Sequence, residues 1–102
     1  MKEGDLVKEI ISHYKNRDNI KLFRVHSGKV QIRGGYMQLA PAGTPDICGY
    51  KGNTFIAIEC KTKEKASKLN SEQESFKAHA QNNGVVYIEA RHLQDVVDII
   101  GY

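Results

Sequence analysis

Asp46, Glu59 and Lys61 combine two hard oxygen ligands with an amine within sixteen positions of one another. They lie in the stretch Gly43 to Lys61, GTPDICGYKGNTFIAIECK, which reads as two short apolar strands joined by a tight turn at Tyr50 to Asn53. Alternation along the second strand puts Phe55, Ala57, Glu59 and Lys61 on one face and Ile56, Ile58 and Cys60 on the other. An antiparallel hairpin would lay the start of the first strand beside the end of the second, bringing Asp46 next to Glu59. Two carboxylates and an amine then converge. Such a cluster suits phosphodiester hydrolysis. Oxygen-donating carboxylates hold a hard cation such as Mg²⁺, which keeps several waters and polarises a phosphoryl oxygen. The lysine orients and acidifies the attacking water, or neutralises charge growing at phosphorus. Glu59 and Lys61 leave an apolar strand at its end, where an unpaired, partly buried carboxylate pair is costly. A divalent cation would neutralise it, and a lysine–glutamate ion pair is the purely structural alternative.

Pro45-Asp46 followed by Glu59-Cys60-Lys61 resembles the PD-(D/E)xK nuclease signature, and the order GTPD, IECKT, polar segment and helix bearing Gln73 is similar to the VRR-NUC domain, the virus-type replication-repair nuclease module. The resemblance covers nearly the whole chain. It implies an α/β fold, a restriction-endonuclease-like αβββαβα core with a mixed central sheet flanked by helices. It also implies a metal-dependent, structure-selective DNA endonuclease using Mg²⁺ or Mn²⁺. In that reading Asp46, Glu59 and the main-chain carbonyl of Cys60 hold the metal, and Lys61 acts on the water or the transition-state charge. The family carries a glutamate on its first helix, for which Glu9 is the best match and Glu3 and Asp5 compete, and a glutamine after the E-x-K strand, matched by Gln73. Glu9 and Gln73 would complete the pocket. Stand-alone members resemble Holliday-junction resolvases, which implies a homodimer acting on branched or junction DNA. The alternatives are a flap or nicking nuclease and a non-catalytic module that binds branched nucleic acid.

The elements that must position these residues are legible in order. Asp5 to Lys15 is predicted to be a helix, with Leu6, Val7, Ile10, Ile11 and Tyr14 as its apolar stripe and Glu9 at the margin. Lys21 to His26 predicts a strand. A glycine turn leads to a short Val30 to Arg33 segment, and the run from Gly34 to Ala42 reads as a loop or a hairpin reaching toward substrate. Thr62 to Leu69 is polar and lysine-rich, a loop. Ser71 is expected to cap a helix from Glu72 to Asn82, with Glu74 closing a capping box and Asn83-Gly84 stopping it. Gln73 then falls in the first turn, where its amide can aim at a ligand held by the strands. Val85 to Glu89, mostly apolar, predicts a strand at a buried position in the sheet, and Arg91 to Ile100 closes the chain as a helix. A helix between two strands of one sheet implies a parallel crossover.

The chain of 102 residues suits a single domain, and its 40% apolar and 26% charged content is that of ordinary globular proteins. No stretch approaches the ~20 apolar residues of a membrane span, and the start, MKEGDLVKEI, places acids where a signal peptide needs an apolar run. A cytoplasmic, intracellular protein without a membrane partner is expected. Cys48 and Cys60 lack zinc-ligand spacing and read as reduced, partly buried thiols. The net charge of +3 decides little by itself. Lys63, Lys65 and Lys68, close behind the proposed site, together with Arg24, Lys29 and Arg33, are the candidates for phosphate contacts. His26 is not assigned as a general base, and His13, His79 and His92 have no better claim.

Overall fold

The structure is a computed structural model that describes residues 2–61 and 68–101. Its elements are α1 (Glu3–Tyr14), β1 (Ile20–Arg24), β2 (Lys29–Ile32), β3 (Gly35–Gln38), β4 (Ile47–Lys51), β5 (Thr54–Cys60), α2 (Ser71–Asn82), β6 (Val86–Ala90) and α3 (Leu93–Ile100). The fold is α/β. A four-stranded mixed sheet runs in the order β1-β4-β5-β6, antiparallel except for the last pair, and β2 and β3 form a separate two-stranded ribbon. No helix among the described residues is long and apolar enough to cross a membrane.

Side-chain alternation divides the sheet into two unlike faces. Ile20, Leu22, Ile47, Ile56, Ile58, Ile88 and Ala90 are buried on one of them, in a single cluster with Leu6, Val7, Ile10 and Tyr14 of α1 and Val96 and Ile100 of α3. These apolar stripes recur at helical spacing, so one side of each helix closes on the sheet and the rest stays in water. The Tyr14 hydroxyl donates to the Gly101 carbonyl and Lys51 Nζ to the Ile100 carbonyl at 2.8 Å, fastening the end of α3 to α1 and β4. The second face carries α2, whose Phe76 ring meets Tyr87 at 6.3 Å and whose Lys77 pairs with Glu89 at 2.8 Å.

The turn between β4 and β5 falls at Gly52-Asn53, with Gly52 at φ 59°, and the register pairs Ile47 with Ile58 and Tyr50 with Phe55. β1 follows β4 one residue beyond the regular ladder, because Val25 N–H donates to the Asp46 carbonyl at 2.8 Å. Gly49 leaves no room for a side chain against β1: a Cβ there would lie 1.8 Å from the Lys21 carbonyl oxygen. The run after Gly34 resolves as a hairpin, β3 pairing with β2, and this ribbon leaves the sheet between β1 and β4.

Three expectations need correcting. α1 begins at Glu3, two residues earlier than the stripe alone predicts, which brings Glu3 into the helix. The cap of α2 is Asn70, not Ser71: its side chain accepts from Gln73 N–H at 2.9 Å while Gln73 Oε1 accepts from Asn70 N–H at 2.9 Å. Both N-x-x-Q and the overlapping S-x-x-E satisfy the capping-box pattern, and the chain uses the former. β6 lies at the edge of the sheet rather than inside it. Its apolar character comes from helices packed on both of its faces, α3 on one and α2 on the other, and this satisfies a run such as VVYIE as well as central strands would.

The loop before Asp46 is seated on α2. Gly43 has φ +90°, and a Cβ added there would stand 2.6 Å from the Glu72 carbonyl oxygen. Gly34, at φ +88°, has open space around it. We therefore expect Gly34→Ala to cost about 1 kcal/mol, from left-handed backbone strain alone. Gly43→Ala adds a collision with main chain and is expected to cost about 2–4 kcal/mol. Urea denaturation of the two variants side by side measures the difference; equal losses would mean that the loop is not held against the helix.

Candidate metal and phosphodiester site

β5 delivers Glu59 to the site as the one buried charged side chain among the described residues, 4% exposed. The strand has no choice of face: Ile56, Ile58 and Cys60 fill the α1 side, so Ala57 and Glu59 take the other. Asp46 extends the line of β4 past Ile47, the partner of Ile58, and so comes beside Glu59 as the hairpin register requires. Its Oδ2 accepts from the Cys60 N–H at 2.9 Å. That amide points toward β4, whereas the next one, Lys61 N–H, donates to the Ala90 carbonyl of β6 at 2.8 Å. A strand residue turns its N–H and C=O to the same neighbour, so the Cys60 carbonyl also lies on the Asp46 side.

Asp46 and Glu59 are close neighbours at the end of the hairpin, and the Asp46 carboxyl favours the protonated form of Glu59. Burial of Glu59 is the largest cause of its raised pKa, followed by the Asp46 carboxyl as acceptor and as charge; Lys61 opposes the rise and Glu3 adds to it, and Glu59 is pushed up to about 8. At neutral pH the pair therefore shares a proton. Among the described residues no three of His, Cys, Asp and Glu gather to form a cation cage by themselves. Two hard carboxylate oxygens and a main-chain carbonyl nevertheless fit Mg²⁺ or Mn²⁺, since such ions bind through one or two carboxylates and keep water in the remaining positions.

Lys61 leaves β5 and reaches α2. Its Nζ donates to Gln73 Oε1 at 3.1 Å, the same oxygen that closes the capping box with Asn70. The ammonium thus has a neutral partner and acts on Glu59 as a nearby charge, so the simple lysine–glutamate ion pair is not the arrangement found.

The acid of α1 that bears on the pair is Glu3, which raises the pKa of both Glu59 and Cys60. Glu3 stands three, four and seven residues before Leu6, Val7 and Ile10, on the face of the buried stripe and in the first helical turn. Glu3 and Glu9 are both exposed, and Glu9 lies six residues further on, about 9 Å along the axis. Glu3, one of the competitors of Glu9, extends the i, i+3, i+4, i+7 pattern backward from Leu6. Tyr87, in register with Ala57 and on the same face as Glu59, is a residue that sequence reasoning did not single out. Its hydroxyl is buried without a hydrogen-bond partner among the described residues. Burial first, then the charges of Glu59, Glu89 and Asp46, raise its pKa. An aromatic residue inside an apolar strand gives no sequence signal for this.

Lys29 and Arg33 are exposed at the ends of β2, on the ribbon, and Lys68 is exposed before α2. Arg24 shares the parity of Ile20 and Leu22 and lines a groove between α1 and β1 with Lys8 and Lys15, away from the carboxyl face. Lys63 and Lys65 lie outside the described residues. Cys48 and Cys60 are free thiols on opposite faces of the sheet; burial raises both pKa values, Cys60 to about 12. The sequence matches no protein-family model and no curated protein.

Two outcomes follow from the buried pair. Folded Glu59 keeps its proton where the unfolded chain has lost it, so folding takes up a proton between pH 4.5 and about 8. Stability in EDTA is expected to be highest below that window and to fall as pH rises through it. Glu59→Gln, which carries hydrogen at every pH, should flatten the slope, as thermal melts from pH 4.5 to 8.5 would record. Tyr87→Phe removes a buried hydroxyl that lacks an acceptor. It is expected to leave the stability of the metal-free protein unchanged or to raise it by up to about 1 kcal/mol.

Proposed function

We propose that this chain is a Mg²⁺- or Mn²⁺-dependent DNA endonuclease. The observation that carries the reading is the meeting of Asp46 and Glu59 at the end of the hairpin, with the Cys60 amide on Asp46 and the Lys61–Gln73 pair beside them. A buried carboxyl pair that must share a proton when alone offers oxygens that a divalent ion would bind with release of that proton. Apart from the β2–β3 ribbon, the order of elements is helix, three strands, helix, strand, helix, as a restriction-endonuclease-like αβββαβα core would have.

In this reading Asp46, Glu59 and the Cys60 carbonyl hold the metal, which when bound polarises a phosphoryl oxygen and lowers the pKa of water. Asp46 keeps its position through the Cys60 amide. Lys61, anchored by an uncharged amide oxygen, retains its full positive charge for the attacking water or for the oxygens that gain charge as the bond breaks. Gln73 accepts from the ammonium of Lys61, and Glu3 of α1 adds negative charge near Glu59 without becoming a third ligand. Lys29, Arg33 and Lys68 would meet the DNA backbone. Junction or other branched DNA is the proposed substrate, with a homodimer supplying the two sites that paired nicks require. The rival reading is a binder without catalysis. It draws on the absence of a third acid ligand among the described residues.

A four-way-junction cleavage assay with Mg²⁺, Mn²⁺ and EDTA decides between them. Cleavage is expected with either metal and not in EDTA, with Asp46→Ala and Lys61→Ala each losing about 10²–10³-fold in rate. Asp46→Ala should still bind the junction. Cleavage that survives EDTA, or is indifferent to Lys61, would refute the assignment. Equal cutting of linear duplex by a monomer would remove the junction-resolving dimer but leave the nuclease. Independently of activity, Mg²⁺ should raise the melting temperature more at pH 8 than at pH 6, because its ligand Glu59 must lose a proton.

A further inference from the structure

Away from the carboxyl pair, the sheet face that bears it is only partly covered. α2 lies over β6, and toward β1 the face presents three large rings at about half exposure: Phe23 at 46%, Tyr50 at 49% and Phe55 at 47%. Register makes them one patch. Tyr50 is directly opposite Phe55, Lys21 flanks Tyr50 on the other side, and Phe23 is opposite Cys48, one same-face step nearer the site. Small residues, Cys48 and Ala57, form the buried floor between Phe23 and Tyr87. The contrast with the α1 face is chemical. There the sheet offers isoleucine and leucine, which interdigitate with helix side chains; here the solvent-facing apolar groups are flat rings over a shallow floor.

Charge is graded along this face. The acids Asp46, Glu59 and Glu89 occupy one end, and Lys21, exposed, stands at the other beside Tyr50 and Phe55. From Asp46 the rings begin about 7 Å away at the Cys48–Phe23 pair and end about 14 Å away at Tyr50 and Phe55, at roughly 3.4 Å per strand residue. A polymer with anionic links and flat apolar units fits that sequence of features. Its scissile phosphate reaches the carboxyl end through the divalent ion that Asp46 and Glu59 would hold, its next units lie on the rings, and its further charge lies at Lys21. A second protein chain would supply no reason for the lysine to share a row with two aromatics on the side away from the acids.

We propose that Phe23, Tyr50 and Phe55 form a stacking platform for unpaired nucleobases of single-stranded DNA beside the phosphate position that the metal held by Asp46 and Glu59 would define. The proposal rests on the nuclease reading for its substrate class and adds a requirement to it: the strand must be unpaired for a few nucleotides beside the bond cut. Base–aromatic contacts tolerate any base, so the platform selects strand structure rather than sequence.

Binding in EDTA tests it without cleavage. Fluorescence anisotropy of a short labelled oligothymidylate is measured against an abasic strand of equal length and a duplex, for the parent protein and for Tyr50→Ala, Phe55→Ala and Phe23→Ala. Each substitution is expected to weaken the oligothymidylate about tenfold and to change the abasic strand and the duplex less than twofold. Phe55→Leu and Tyr50→Leu, which keep apolar bulk but no ring, carry the same expectation if an alanine variant melts early; Tyr50→Phe should bind like the parent. Unchanged affinity in the leucine variants, or equal weakening of thymidylate and abasic strands, overturns the platform. So does a shift from dimer to monomer in sedimentation with oligonucleotide affinity intact, which would make the patch an interface between copies. The two proposals fail separately. Ring-dependent binding without any metal-dependent cleavage would sink the nuclease alone, and Lys61-dependent cleavage with ring-independent binding would sink the platform alone.

Discussion

The juxtaposition of Asp46 and Glu59 is the constraint on which the candidate site depends, and it is imposed by the sheet rather than chosen by the side chains. Ile56, Ile58 and Cys60 are all fully buried against the helices, so β5 cannot slip by one residue without exposing them and burying Ala57 and Glu59 in their place. That fixed register holds Glu59 in a poorly solvated position. The register of β4 then brings a second acid to it, and the Cys60 amide prevents that acid from swinging away. Three unrelated requirements, core packing, hairpin closure and satisfaction of a main-chain donor, thus meet in one pair of carboxyls.

Around the pair, the remaining residues are tied to one another through main chain. Gly43 lies against the Glu72 carbonyl, so the loop leading to Asp46 and the first turn of α2 share a contact too close for any side chain. That same first turn holds Gln73, and Gln73 holds Lys61. A displacement of α2 would consequently reach both the acid and the amine. The site behaves as the joint between a hairpin and a helix, and its geometry is as firm as that joint.

Much of this is legible from residue order. Strand alternation gives the faces of Glu59 and Lys61, and the turn at Gly52 gives the approach of Asp46, because period and turn chemistry are local properties. What local pattern leaves undetermined is competition between equivalent choices. Asn70 and Ser71 both head a capping box, and the winner is the one whose N3 glutamine also reaches Lys61, a long-range contact. Glu3 looks like a fraying terminus until α1 is laid on the sheet with its first turn toward Cys60. β6 reads as buried, but its edge position is not legible, because burial by two helices and burial by two strands leave the same apolar run. The buried hydroxyl of Tyr87 depends on where α2 lands, which no spacing records.

The neutrality of the amide at position 73 has a consequence for how this corner can evolve. A glutamate there would make a better cap, by charge and by helix polarity, and would bind the neighbouring ammonium more tightly. It would also cancel the positive charge that an incoming anion seeks. Firmness and reactivity therefore pull in opposite directions at a single oxygen, and glutamine is the side chain that supplies the first without extinguishing the second.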